Sequence, residues 1–103
     1  MKMILLFDLP TETDIDRSNY RHFREMLIKK GFTMLQFSVY ARSFANKDSA
    51  DFFLNTVKKQ VPQEGKVRVL IMTEKQYLNM VVLEPFINIK EKLLINDGNF
   101  LKI

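Results

Sequence analysis

The sequence predicts an α+β fold, a ferredoxin-like β-α-β-β-α-β sandwich whose helices lie on one face of a single sheet. Three observations predict it. Met3-Ile4-Leu5-Leu6-Phe7 is an unbroken apolar run that stops at Asp8 and is broken at Pro10; two segments carry apolar residues at helical spacing; two others alternate. The first run is short and apolar on both faces, as a central strand is, and this places Asp8 at the strand's carboxyl end.

Thr11-Glu12-Thr13-Asp14-Ile15-Asp16 supplies hydroxyls and acids that satisfy free N–H groups and the dipole at a helix start. The helix is expected from about Ile15 to Lys30, with Tyr20, Phe23 and Leu27 as its buried stripe and Gly31 as its left-handed cap. Phe32 to about Arg42 reads as one long strand, with Leu35, Phe37, Val39 and Ala41 on the core side. Gln36, Ser38, Tyr40 and Arg42 take the other side. Asn46-Lys47-Asp48-Ser49 opens a second helix in which Ala50, Phe53, Leu54, Val57 and Val61 share one arc, and Pro62-Gln63-Glu64-Gly65 ends it. Lys66 to Thr73 is a third strand with Val67, Val69 and Ile71 inward. Thr73-Glu74-Lys75-Gln76 is a turn or a single helical turn, and Met80-Val81-Val82-Leu83 reads as a short fourth strand before Pro85.

Residues 1–84 are thus expected to form one ferredoxin-like domain. Residues 85–103, with Leu93-Leu94-Ile95 and Phe100-Leu101-Lys102-Ile103 flanking an Asn96-Asp97-Gly98-Asn99 turn, look like additional strand material. This extension either augments a partner's sheet or folds back as a hairpin on its own edge. Tyr40, Leu70 and Met72 fall on the sheet face away from the helices and are poor solvent residues, so a homodimer packed through that face is expected.

Composition narrows the chemistry. The chain has 103 residues, 47% of them hydrophobic, enough for one core and too few for two domains. It contains no cysteine, which excludes disulfides, thiolate nucleophiles and cysteine-type zinc sites. No apolar run approaches a bilayer's thickness and the N-terminus lacks signal-peptide features, so a cytoplasmic protein with no membrane contact is expected. Sixteen Lys plus Arg against twelve acids give a net charge of +4, which permits a polyanionic partner.

Two features carry candidate chemistry. Asp8 at a strand end is either a ligand for a metal or cation, since a buried carboxylate needs such a partner, or the start of the turn that follows. Arg17, Arg21 and Arg24 recur at i, i+4 and i+7, forming either a track for backbone phosphates or an ordinary solvated face. His22 is the single histidine, which excludes two-histidine ribonuclease chemistry within one chain. Neither a Walker-type loop nor a Rossmann fingerprint is present. Phe37 and Tyr40 have the rings to stack bases, although the alternation assigns Phe37 to the core.

Leu6-Phe7-Asp8-Leu9-Pro10-Thr11, Arg17, Gly31-Phe32, Gln36-Phe37-Ser38-Val39-Tyr40 and Thr73-Glu74-Lys75-Gln76 occur in an order and spacing that resembles the CRISPR-associated endoribonuclease family, and most of all its type II members. The resemblance covers roughly the first 80 residues. It implies a ferredoxin-like homodimer in which Asp8 faces its twin and the pair holds Mg²⁺ for attack on a phosphodiester. It also implies a role in CRISPR adaptation, in which the dimer sits between CRISPR integrase dimers and holds duplex prespacer DNA. There Arg17, Arg21 and Arg24 would contact phosphates without reading bases, and RNA is the alternative substrate for cleavage. A toxin-like ribonuclease of the virulence-associated D family and a non-catalytic nucleic-acid-binding or regulatory module are the competing readings.

Overall fold

Met3, Leu5 and Phe7 point one way from the first strand and are buried, which fixes that strand at the centre of the sheet. The computed structural model describes residues 1–85. In chain order the elements are β1 (Lys2–Asp8), α1 (Asp14–Lys29), β2 (Thr33–Gln36), β3 (Val39–Ser43), α2 (Lys47–Gln60), β4 (Lys66–Met72) and α3 (Glu74–Leu78). The sheet order is β2-β3-β1-β4, and every neighbouring pair is antiparallel. The fold is ferredoxin-like, a β-α-β-β-α-β unit followed by a short helix.

Both long helices begin where side chains can satisfy their free donors. Thr13 accepts from the Asp16 N–H at 3.0 Å while the Asp16 carboxylate accepts from the Thr13 N–H at 3.2 Å, so α1 starts with a reciprocal cap. Asn46 and Ser49 do the same for α2, with the Ser49 N–H donating to Asn46 Oδ1 at 2.8 Å. Gly31, at φ 93°, takes the left-handed conformation that turns the chain out of α1 toward β2.

The core lies between the sheet and the two helices. Phe23 and Leu27 from α1 and Ala50, Phe53 and Val57 from α2 close over Met3, Leu5, Phe7 and Tyr40, with Val67, Val69 and Ile71 packed at its margin. Phe7 anchors an aromatic cluster, edge-on to Phe23 at 5.1 Å between centroids and stacked on Tyr40 at 5.7 Å. Arg42 lies over the Phe44 ring at 4.2 Å, so its charged end covers apolar surface beside α2.

Three expectations are corrected. The segment from Phe32 to Arg42 is a hairpin, with a turn at Phe37-Ser38 between β2 and β3 and a register shift between Met34 and Gln36. Tyr40 pairs with Leu5 on β1, whose side chain points to the helices, and with Met34 on β2, so the even-numbered residues of β3 lie on the helix side. Tyr40 therefore faces the helices and is 1% exposed, whereas Phe37 is 86% exposed and Leu35 is also exposed. Tyr40 is thus a core residue and no part of a docking face, while Leu70, 54% exposed, does lie on the uncovered side. Finally, Met80-Val81-Val82-Leu83 forms no strand; these residues are exposed and follow α3 without regular structure. The expected strand extension beyond residue 85 lies outside the described residues.

Candidate functional site

Asp8 ends β1, and its cross-strand partner on β4 is Lys66. Side chains directly opposite one another in an antiparallel pair share a face, so Asp8 and Lys66 stand together on the side of the sheet that α1 and α2 leave open. Leu6 pairs with Arg68 and Ile4 with Leu70 on that same face. Asp8 is exposed, so its carboxyl group keeps its hydration. The argument from a buried acid therefore does not apply; its place, at the end of a central strand beside two basic residues, is what marks it. Lys66 and Arg68 were readable as outward residues of an alternating strand, but their nearness to Asp8 depends on the β1–β4 register, which no local pattern reveals.

The hairpin tip sits beside this strand end. The Phe7 N–H donates to the Ser38 carbonyl at 3.0 Å, and the Tyr20 hydroxyl lies 3.2 Å from Ser38 Oγ, tying α1 to the tip. Ser38 holds φ at 63°, a left-handed conformation that costs a residue with a Cβ about 1–2 kcal/mol. Burial raises the Tyr40 phenol above its usual range, an effect opposed in part by the Arg24 guanidinium nearby.

The three arginines of α1 do different things. Arg17 donates from Nη1 to the carbonyls of Thr11 and Glu12, both at 3.0 Å, and from Nη2 to the Asp14 carboxylate. Its guanidinium is thereby occupied in clamping the loop that leaves Asp8. Arg21 is exposed and 3.9 Å from Glu25, a spacing worth little in water. Arg24 is exposed as well, and together with Arg21, Tyr20, Met34, Phe37 and Tyr40 it lines a cleft of about 370 Å³ between α1 and the hairpin. Arg21 and Arg24 are thus brought together, and Asp8 lies on the other side of the sheet.

Among the described residues no three carboxylate, histidine or cysteine side chains gather to hold a metal. A single protomer offers Asp8 alone. Mg²⁺ keeps several waters and takes one or two protein carboxylates, so an exposed carboxylate such as Asp8 is of a kind that fits this ion.

The family model described as CRISPR associated protein Cas2 matches residues 1–80. The chain belongs to the Cas2 family. A CRISPR-associated endoribonuclease Cas2 of Ligilactobacillus salivarius is 48% identical over 80 residues, covering 78% of this chain and 79% of that protein. One of Treponema denticola is 40% identical over 100 residues, 92% of this chain and 99% of its own length. Among solved structures, the crystal structure of Streptococcus pyogenes Cas2 at pH 6.5 superposes with a TM-score of 0.63 at 16% identity, covering 82% of this chain and all of that one. At that identity the superposition supports the Cas2 fold alone. Among the described residues no helix is long and apolar enough to cross a membrane.

Proposed function

We propose that this chain is a metal-dependent endonuclease that works as a homodimer in CRISPR adaptation. The observation that carries the reading is the placement of Asp8, exposed at the carboxyl end of the central strand and on the uncovered sheet face. The same face carries Leu6 and Leu70, apolar side chains that a second copy would cover. Packing two copies through it brings Asp8 toward its twin, and the single carboxylate becomes a pair. Mg²⁺ bound there would supply an activated water and neutralise charge on the phosphoryl group. Asp8 would hold the ion, while Lys66 and Arg68 on the same face attract the polyanion. The relatives named endoribonucleases make RNA the first substrate to test. For the adaptation role, the reading adds that the dimer holds duplex prespacer DNA between CRISPR integrase dimers. Sequence-independent contacts then fall to the exposed Arg21 and Arg24. Membership of the Cas2 family favours this reading over a toxin-like ribonuclease and over a non-catalytic nucleic-acid-binding or regulatory module.

The test is Asp8→Asn, which keeps the side chain's shape and removes its charge. The folded variant should remain a dimer by light scattering and lose Mg²⁺-dependent cleavage of RNA and duplex DNA, because an amide is a poor ligand for a hard cation. It should still support spacer acquisition in cells holding a repeat array. Cleavage at the wild-type rate would remove Asp8 from the site, and a monomer at micromolar concentration before substitution would remove the shared-site reading altogether.

A further inference from the structure

The cleft between α1 and the β2–β3 hairpin combines two features that the sheet-face site does not use. Phe37 stands at the hairpin tip, 86% exposed, where a ring of that size gains nothing from the core. Arg21 and Arg24 line the same cleft with it. An exposed aromatic plane beside guanidinium groups is the pairing by which proteins hold unpaired nucleotides, with the ring taking the base and the cations taking the flanking phosphates. The cleft's other two aromatics are occupied: Tyr40 is buried against Phe7 and closes the floor, and the half-buried Tyr20 packs on Phe7 with its hydroxyl beside Ser38 Oγ, so Phe37 is the ring available for stacking. The cleft's volume of about 370 Å³ falls within the range of ligand-sized sites.

We propose that Phe37, Arg21 and Arg24 form a subsite for one unpaired nucleotide, with the base stacked on Phe37 and its phosphate held by the two arginines. A base inside a duplex is already stacked on both faces, so the subsite discriminates single strands or frayed ends from continuous duplex. The cleft opens on the helix-covered side of the sheet, through Tyr40 and Met34, and the uncovered face with Leu6 and Leu70 lies opposite. Two copies packed through that face leave the cleft free. The inference rests on the reading of the chain as a nucleic-acid enzyme, but it concerns binding, and it is tested without cleavage.

The experiment measures binding by fluorescence anisotropy in EDTA, using oligouridine, oligothymidine and a blunt duplex of equal length, each at several salt concentrations. Phe37→Ala should weaken both single strands by about tenfold, leave the duplex within about twofold and leave the salt slope unchanged, because stacking involves no counterion release. Phe37→Tyr should restore the loss. Arg21→Ala and Arg24→Ala should each lower the slope for single strands by about 0.7. A 2-aminopurine base in the oligomer should be quenched by the wild type and not by Phe37→Ala. Equal loss on duplex and single strand, no loss on single strands, failure of Tyr to restore binding, or a wild type that binds no single strand would each overturn the proposal. Loss on only one of oligouridine and oligothymidine would support it and show which of the two strand chemistries it accepts. Since no metal is present, these outcomes are separate from failure of Asp8→Asn to abolish cleavage.

Discussion

Replacing Arg17 separates a structural clamp from a phosphate contact. Its guanidinium makes two hydrogen bonds to loop carbonyls at 3.0 Å and an ion pair with Asp14, from a side chain that is 54% exposed. Charge-assisted hydrogen bonds contribute about 1.5–3 kcal/mol when buried, and exposed ion pairs about 0–1 kcal/mol. Discounted for solvent screening, Arg17→Ala should cost about 1 kcal/mol, which lowers Tm by roughly 4–8 °C in a domain of this size. Arg17→Lys keeps the charge but not the fork that reaches two carbonyls at once, so it should recover less than half of the loss. Thermal unfolding reads stability, and duplex binding across a salt series reads the charge contact. The slope should stay unchanged in both variants. An unshifted Tm together with a salt slope reduced by about 0.9 in Arg17→Ala would refute the clamp and return Arg17 to the phosphate track.

Three further outcomes follow from the fold. Ser38→Gly relieves the left-handed strain but gives up the bond to Tyr20, so urea midpoints should show it close to neutral, whereas Ser38→Ala keeps the strain and should lose about 1 kcal/mol. Gly65→Ala should destabilise by about 1–3 kcal/mol in the same assay, since its Cβ would press into the buried Leu9 and lie 3.2 Å from the Pro62 carbonyl. Because the folded phenol of Tyr40 titrates above its unfolded value, the stability linked to it is fully present below about pH 10 and falls as pH rises through the folded value. Comparing wild type with Tyr40→Phe from pH 9 to 11 should show that part of the alkaline loss only in the wild type.

Much of the fold was legible because several levels of the sequence agreed. The apolar run ending at Asp8 marked β1, and the Thr13 and Asn46 caps with their helical stripes marked α1 and α2. The hairpin was missed because Gln36-Phe37-Ser38 contains neither Gly nor Pro, and the left-handed turn falls on a serine. Reading the segment as one alternating strand puts its odd-numbered residues inward, whereas Tyr40 pairs with the inward Leu5 and Phe37 lies in the turn itself. Met80-Val81-Val82-Leu83 had the composition of a strand, but strand formation depends on a pairing partner that composition does not supply. For the candidate site, the place of Asp8 at the end of the central strand was readable from the apolar run that precedes it. The clamp role of Arg17 was not, because i, i+4, i+7 spacing reports a shared helix face and says nothing of the loop that folds back onto it.

The central claim is that two copies of Asp8 share one metal-dependent site, and mixing tests it most directly. Wild-type and Asp8→Asn protein are unfolded and refolded together at varying ratios, and Mg²⁺-dependent cleavage of single-stranded RNA is measured at constant total protein. If both carboxylates are required, activity follows the square of the wild-type fraction, so an equal mixture retains about a quarter of full activity. Activity that falls in direct proportion, to about half in the equal mixture, would show that each protomer carries its own complete site and would contradict the account.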